Sequence, residues 1–176
     1  VVGGSYDPGT MAPGVYTYAV TGAAPCASAT ATVTVTETSS PDAGTDGSAT
    51  VCGDGGPLDL FAQLGGSPDA GGSWSGPSAV AGGSYDPGTM APGVYTYTLT
   101  AAPPCASSSA TVTVTEVAPA DAGTSGTLTV CDAGAAVSLI AQLGGSPDAG
   151  GAWSGPSAVV GGSYDPGTMA PGVYTY

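Results

Sequence analysis

The side chains in this sequence best equipped for metal-binding or redox chemistry are four cysteines and thirteen carboxylates. They have no cation to work with, because Lys, Arg and His are all absent. Cys26, Cys52, Cys105 and Cys131 fall at intervals of 26, 53 and 26 residues (52 − 26, 105 − 52, 131 − 105), with no C-x-x-C pair among them. Zinc and iron–sulfur sites draw on such pairs or on histidine, so disulfides are the better use of these thiols. Disulfides in turn belong outside the cytosol. We expect Cys52 to pair with Cys105, closing a loop of 53 residues (105 − 52) worth roughly 4 kcal/mol on the chain-entropy estimate. Cys26 and Cys131 would then find partners outside this sequence. The competing bridge, Cys26 to Cys52, would lock a linker instead.

Among the carboxylates, the segment Asp42-Ala43-Gly44-Thr45-Asp46-Gly47 spaces oxygen ligands ahead of a glycine, with Glu37 close upstream. Calcium is the ion that Asp42, Asp46 and Glu37 would suit. The set falls short of an EF-hand loop, and the later equivalent keeps Asp121 but has Ser125 in place of Asp46. General acid–base catalysis near neutral pH draws mainly on His, Lys or perturbed carboxylates. Here no G-x-S-x-G occurs, and the acidic pair Asp54 and Asp59 becomes Ala133 and Ser138 in the next copy. An enzyme is not expected.

These residues are placed by a repeat. Tyr6, Tyr85 and Tyr164 stand 79 residues apart (85 − 6, 164 − 85), as do Cys26 and Cys105, Cys52 and Cys131, and Trp74 and Trp153. Residues 1–18 return unchanged as 159–176, and return as 80–97 with Ala81 for Val2. A period of domain size without insertions means one fold strung in series. We divide the chain into residues 1–37, the C-terminal part of one repeat, 38–116, a complete repeat, and 117–176, the N-terminal part of the next.

Within the complete repeat, short alternating runs are separated by Gly, Pro and Asp turns, the pattern of strands. Expected strands cover Ser48 to Val51, Leu58 to Leu64, Gly72 to Gly76, Val94 to Thr100 and Ala110 to Glu116. In the last two, Tyr95, Tyr97 and Leu99, and then Ala110, Val112 and Val114, share one face, while threonines take the other. Outward Thr is read as a strand former rather than a binding array. Phe61 and its equivalent Ile140 fall on the polar phase of their strand, so either a loop covers them, the reading we prefer, or they are candidates for lateral contact with a neighbouring domain or chain. Nothing reads as a helix, because 31 Gly and 16 Pro would break one repeatedly.

The run Pro92-Gly93-Val94-Tyr95-Thr96-Tyr97 resembles the entry to strand F of immunoglobulin-like domains. Tyr95 matches the corner tyrosine, Trp74 matches the core tryptophan, and Tyr97 stands where an antibody domain has its second cysteine. The combination of Thr50-Val51-Cys52, the Tyr-Thr-Tyr-Thr-Leu-Thr run before Cys105 and the closing Ala-Thr-Val-Thr-Val-Thr-Glu is similar to the PKD-like and Ig-like tandem repeats of giant bacterial surface adhesins exported by type IX secretion. The resemblance implies an all-β architecture of tandem Ig-like or PKD-like β-sandwich domains in series, at the bacterial cell surface or otherwise extracellular. It implies a structural role as filament or stalk. The alternative is an adhesive module for glycan, mineral or a partner cell. The expected partners are neighbouring repeats, stacked at a fixed angle, and identical chains in a fibre.

A net charge of −13 repels nucleic acid and anionic membranes, and no apolar run is long enough to span a bilayer. The absence of Lys and Arg removes trypsin cleavage sites, and the absence of Asn removes N-glycan acceptors. Self-repulsion without internal counter-charge makes stability depend on screening. Raising NaCl from about 10 to about 200 mM should raise the thermal midpoint, and an unchanged midpoint would refute the screening argument.

Overall fold

A computed structural model describes residues 3–176; Val1 and Val2, which open the first partial repeat, lie outside the described residues. The chain is all-β. Its strands are β1 (Gly14–Val20), β2 (Ala29–Val35), β3 (Gly47–Cys52), β4 (Leu58–Asp59), β5 (Ser73–Ser75), β6 (Ser84–Tyr85), β7 (Gly93–Leu99), β8 (Ser108–Val117), β9 (Val137–Ser138) and β10 (Ser163–Tyr164). The only helical segments among the described residues are single 3₁₀ turns at Phe61–Gln63 and Ile140–Gln142. Two compact units form, Val1–Val51 with Gly55–Glu116, and Cys52–Asp54 with Val117–Tyr176.

In the first unit a four-stranded sheet has the order β3-β8-β7-β5, and the pair β4-β6 forms a second, smaller sheet. β7 and β8 are antiparallel, with Tyr95 opposite Val112 and Tyr97 opposite Ala110. Alternation of Tyr or Val with Thr decides which face turns inward, since successive strand residues point to opposite sides. Tyr95, Tyr97, Leu99, Ala110, Val112 and Val114 are all buried, and with Leu60, Leu64, Tyr85 and Ala43 they make the core. Each large side chain removed from water in this way contributes roughly 1.5–3 kcal/mol. β1 and β2 repeat the β7–β8 hairpin, with Tyr16 opposite Val33 and Tyr18 opposite Ala31.

The expected strand Leu58 to Leu64 is corrected. Only Leu58–Asp59 is strand, pairing with Tyr85 and Ser84 of β6. The Asp59 carboxylate then accepts the Phe61 amide at 2.9 Å, and the backbone turns into the 3₁₀ segment. This bond offers the chain a turn in place of a ladder. The turn carries Leu60 to full burial and brings Phe61 edge-on to Tyr97, with ring centroids 5.4 Å apart. Phe61 therefore packs on its own core, not outward on a strand face as its phase suggested, and Ile140 occupies the equivalent 3₁₀ turn.

The Cys52–Cys105 pairing is also corrected. All four cysteines are free. β3 lies beside β8, with the Thr111 amide bonded to Asp46 before β3 begins and the Gly53 amide bonded to the Val117 carbonyl where it ends. The two strands therefore run in the same direction. Cys52 sits at the Val117 end, whereas Cys105 precedes the other end of a ten-residue strand. At about 3.3 Å per residue the thiols are tens of ångströms apart, far beyond the ~7 Å Cα separation a disulfide tolerates. Nor is the alternative Cys26–Cys52 bridge formed. Alkylation of the folded protein under non-denaturing oxidation should leave no Cys52–Cys105 peptide on non-reducing mapping; that peptide as the main product would overturn this strand arrangement.

Candidate functional site

The polar chemistry of each repeat is concentrated on three tyrosines. The Tyr95 hydroxyl donates to the Ala91 carbonyl at 2.6 Å, pinning the turn that leads into β7. The Tyr97 hydroxyl donates to the Asp69 carbonyl at 2.8 Å and accepts the Gly72 amide at 2.8 Å, clamping the loop before β5. Gly72 is glycine for this reason, since a Cβ there would lie 2.5 Å from Tyr97 Cζ. Tyr85 donates to the Met90 carbonyl at 3.3 Å and, in a very short bond, to the Glu116 carboxylate at the end of β8. The rings interlock as well: Tyr85 stands edge-on to Tyr95 at 5.5 Å, and Trp74 lies against Tyr97 at 5.1 Å. Aromatic pairs in such arrangements add about 0.5–1.5 kcal/mol beyond burial.

The same bonds recur one period away. Tyr176 donates to the Asp148 carbonyl and accepts from Gly151, Tyr174 donates to Ala170, and Tyr164 donates to Met169. Trp153 again lies against Tyr176, at 5.0 Å. In the first partial repeat Tyr16 donates to Ala12, and Tyr6 donates to Met11 and Glu37. Tyr95, Tyr97 and Trp74 were singled out from sequence and meet in this node. Tyr85 and Glu116 were missed as a pair. The available signal was a tyrosine followed 31 residues later by glutamate in both complete intervals, Tyr6 to Glu37 and Tyr85 to Glu116.

The calcium set does not assemble. Asp42 accepts the Gly44 amide at 2.8 Å, Asp46 accepts the Thr111 amide at 2.7 Å, and Glu37 is taken by Tyr6. Each carboxylate is spent on a separate backbone or phenol donor. Among the described residues no group of three His, Cys, Asp or Glu side chains is placed to hold a metal ion. The same bonds give the Thr38 to Gly47 segment another role. The Asp42 amide donates to the Asp69 carboxylate at 3.0 Å, Asp42 accepts the Asp69 amide, Ala43 is fully buried with its amide on Ser108 Oγ, and Thr45 bridges to Gly65. The linker is fastened along its length to the repeat that follows it. Asp121 and Asp148 repeat the reciprocal pairing.

No protein-family model, curated protein or solved structure matches this chain.

Two phenols titrate abnormally. Burial, and then the hydrogen bond to Glu116, push Tyr85 well above the ordinary tyrosine value, while the bond to Glu37 and then partial burial push Tyr6 up to about 12. A raised phenol pKa means that the fold favours the protonated form. Its contribution is fully present below pH ~10, the unfolded value, and is lost as pH rises towards the folded value. Stability should therefore hold level to about pH 10 and decline above it. Tyr85→Phe removes the phenol's hydrogen bond to the half-buried Glu116 carboxylate and should cost about 1–3 kcal/mol at neutral pH while flattening the alkaline decline. Denaturant melts across pH 7–12 check this, and an unaltered alkaline limb in the variant would refute the assignment.

Proposed function

We propose that this chain is a structural segment of an extracellular filament or bacterial cell-surface adhesin stalk, built from Ig-like or PKD-like β-sandwich repeats in series. The reading is carried by one observation: the Tyr97 clamp and the Asp42–Asp69 pairing are reproduced bond for bond by Tyr176, Asp148 and Asp121 one period on. Polar groups are used here to fasten loops and linker to the sheet. Every hydrogen bond of the node joins groups of the chain to each other.

The strand order β3-β8-β7-β5 opposite β4-β6, with Trp74 on β5 against Tyr97 on β7, is consistent with an immunoglobulin-like sandwich. The extracellular setting rests on the adhesin-like sequence pattern and on the absence of trypsin sites, and draws nothing from disulfides. A covalently unstapled domain of this size must hold by packing and hydrogen bonds alone, which suits a repeat engaged at every loop. Neighbouring repeats of the same chain, and identical chains in a fibre, are the partners this reading calls for.

Single-molecule pulling on a chain of several periods tests it. Each period should yield as one event, lengthening the chain by about 24 nm, from 79 residues (85 − 6) at ~3.5 Å each less the folded extent. Smooth extension without discrete events would remove the load-bearing reading, and saturable binding of a glycan by isolated repeats would favour the adhesive alternative.

A further inference from the structure

We propose that the thioether of Met90 is an oxidation site, and that its conversion to the sulfoxide by hydrogen peroxide releases the turn on which Tyr85 and Tyr95 are anchored. The turn is Asp86-Pro87-Gly88-Thr89-Met90, on the way from β6 to β7. Its two ends bind each other twice. The Met90 amide donates to the Asp86 carbonyl at 3.0 Å, and the Asp86 amide donates to Met90 Sδ at 3.2 Å. A thioether is a weak acceptor, yet it is the acceptor this amide has.

All three methionines of the chain stand at this position of the turn. Met11 Sδ accepts the Asp7 amide at 3.5 Å and Met169 Sδ accepts the Asp165 amide at 3.2 Å, each with the return bond from its own amide at 2.9 Å. The buried core of the complete repeat is otherwise filled by Leu, Val, Ala and Tyr. Leucine would fill a similar volume without a lone pair, so the bond from the Asp amide accounts for sulfur at this one position.

The bracket carries part of the tyrosine node. The Met90 carbonyl receives the Tyr85 hydroxyl, the adjoining Ala91 carbonyl receives the Tyr95 hydroxyl, and the Ala91 amide donates to Ser78 Oγ at 2.9 Å. Met90 is half-buried and packs on the core, while Gly88 and Thr89 at the tip of the turn are exposed, which leaves a small oxidant a short path to the sulfur. In the reaction a sulfur lone pair attacks one peroxide oxygen, the O–O bond breaks, and the departing hydroxide takes the proton of the attacked oxygen and leaves as water. Sulfur is oxidised by two electrons and peroxide is reduced by two. The product is polar and chiral. An oxygen on the lone pair that faces Asp86 cannot fit into a 3.2 Å contact while the return bond keeps the turn closed. An oxygen on the other lone pair sets a strong dipole beside the apolar core, which is costly without a donor. Either epimer loosens the bracket, wherever the protein works.

The test uses the full chain carrying Met11→Leu and Met169→Leu, in which Met90 is the one remaining methionine. It is treated with hydrogen peroxide under native conditions, quenched, and returned to dithiothreitol, which reverses cysteine disulfides and sulfenic acids but not the sulfoxide. Mass spectrometry should find the added oxygen on Met90. The thermal midpoint should fall by at least about 4 °C, and the Asp86 amide, followed by NMR, should exchange at least about tenfold faster. Methionine sulfoxide reductases should restore both. Adding Met90→Leu keeps the four free cysteines and should abolish both changes. The same amide measurement on the wild-type chain keeps the test independent of how the variants fold. A Met90 sulfoxide that leaves midpoint and exchange unaltered would overturn the proposal, as would a Met90 that peroxide reaches only in denaturant, or an equal fall in the chain without methionine.

Discussion

β8 is the element on which the rest of the complete repeat depends. It is the longest strand among the described residues, pairs along both edges, and lays Ala110, Val112 and Val114 across the tyrosines of β7. Its last carboxylate, Glu116, reaches Tyr85 on the opposite pair, so one strand joins both sheets.

A protein with no cation must satisfy its carboxylates in some other way. Here backbone amides and phenols take that part, with Asp42 on Gly44, Asp46 on Thr111, Asp59 on Phe61 and Glu116 on Tyr85. Hydrogen bonds to a charged acceptor are stronger than neutral ones and need no counter-ion to be buried beside them. No buried side-chain nitrogen or oxygen among the described residues is left without a partner. The economy has a cost in charge repulsion, which is spread over the surface where salt can screen it.

Much of the all-β character was legible in the sequence, and the reasons are local. Thr–Val and Thr–Tyr alternation gave β7 and β8 and assigned their inward faces, because a strand has a period of two wherever it lies. Leu58 to Leu64 alternates just as cleanly yet turns after Asp59, since a side-chain acceptor one residue before Leu60 diverts the backbone, and alternation carries no information about that competition. The cysteine pairing failed for a related reason. Spacing along the chain says nothing about whether two strands run the same way, and the parallel course of β3 and β8 puts Cys52 and Cys105 at opposite ends. Asp42, Asp46 and Glu37 looked like one ligand set because they are close in sequence, while their actual partners, Asp69, Thr111 and Tyr6, are distant in it. Tyr85 was a marker of the period before it was anything else. Its role emerges only when β6 and the end of β8 are brought together.

The parallel course of β3 and β8 has a mechanical meaning. The chain runs through the fastened Thr38–Asp46 segment into β3 and leaves the complete repeat at the end of β8, so tension that passes beyond that segment drags these neighbouring strands past one another lengthwise. Every interstrand bond between them is then loaded at once, in shear, and none can be peeled open ahead of the others as the rungs of a hairpin are. Asp46 at one end and Gly53 at the other close off the two points where peeling would begin.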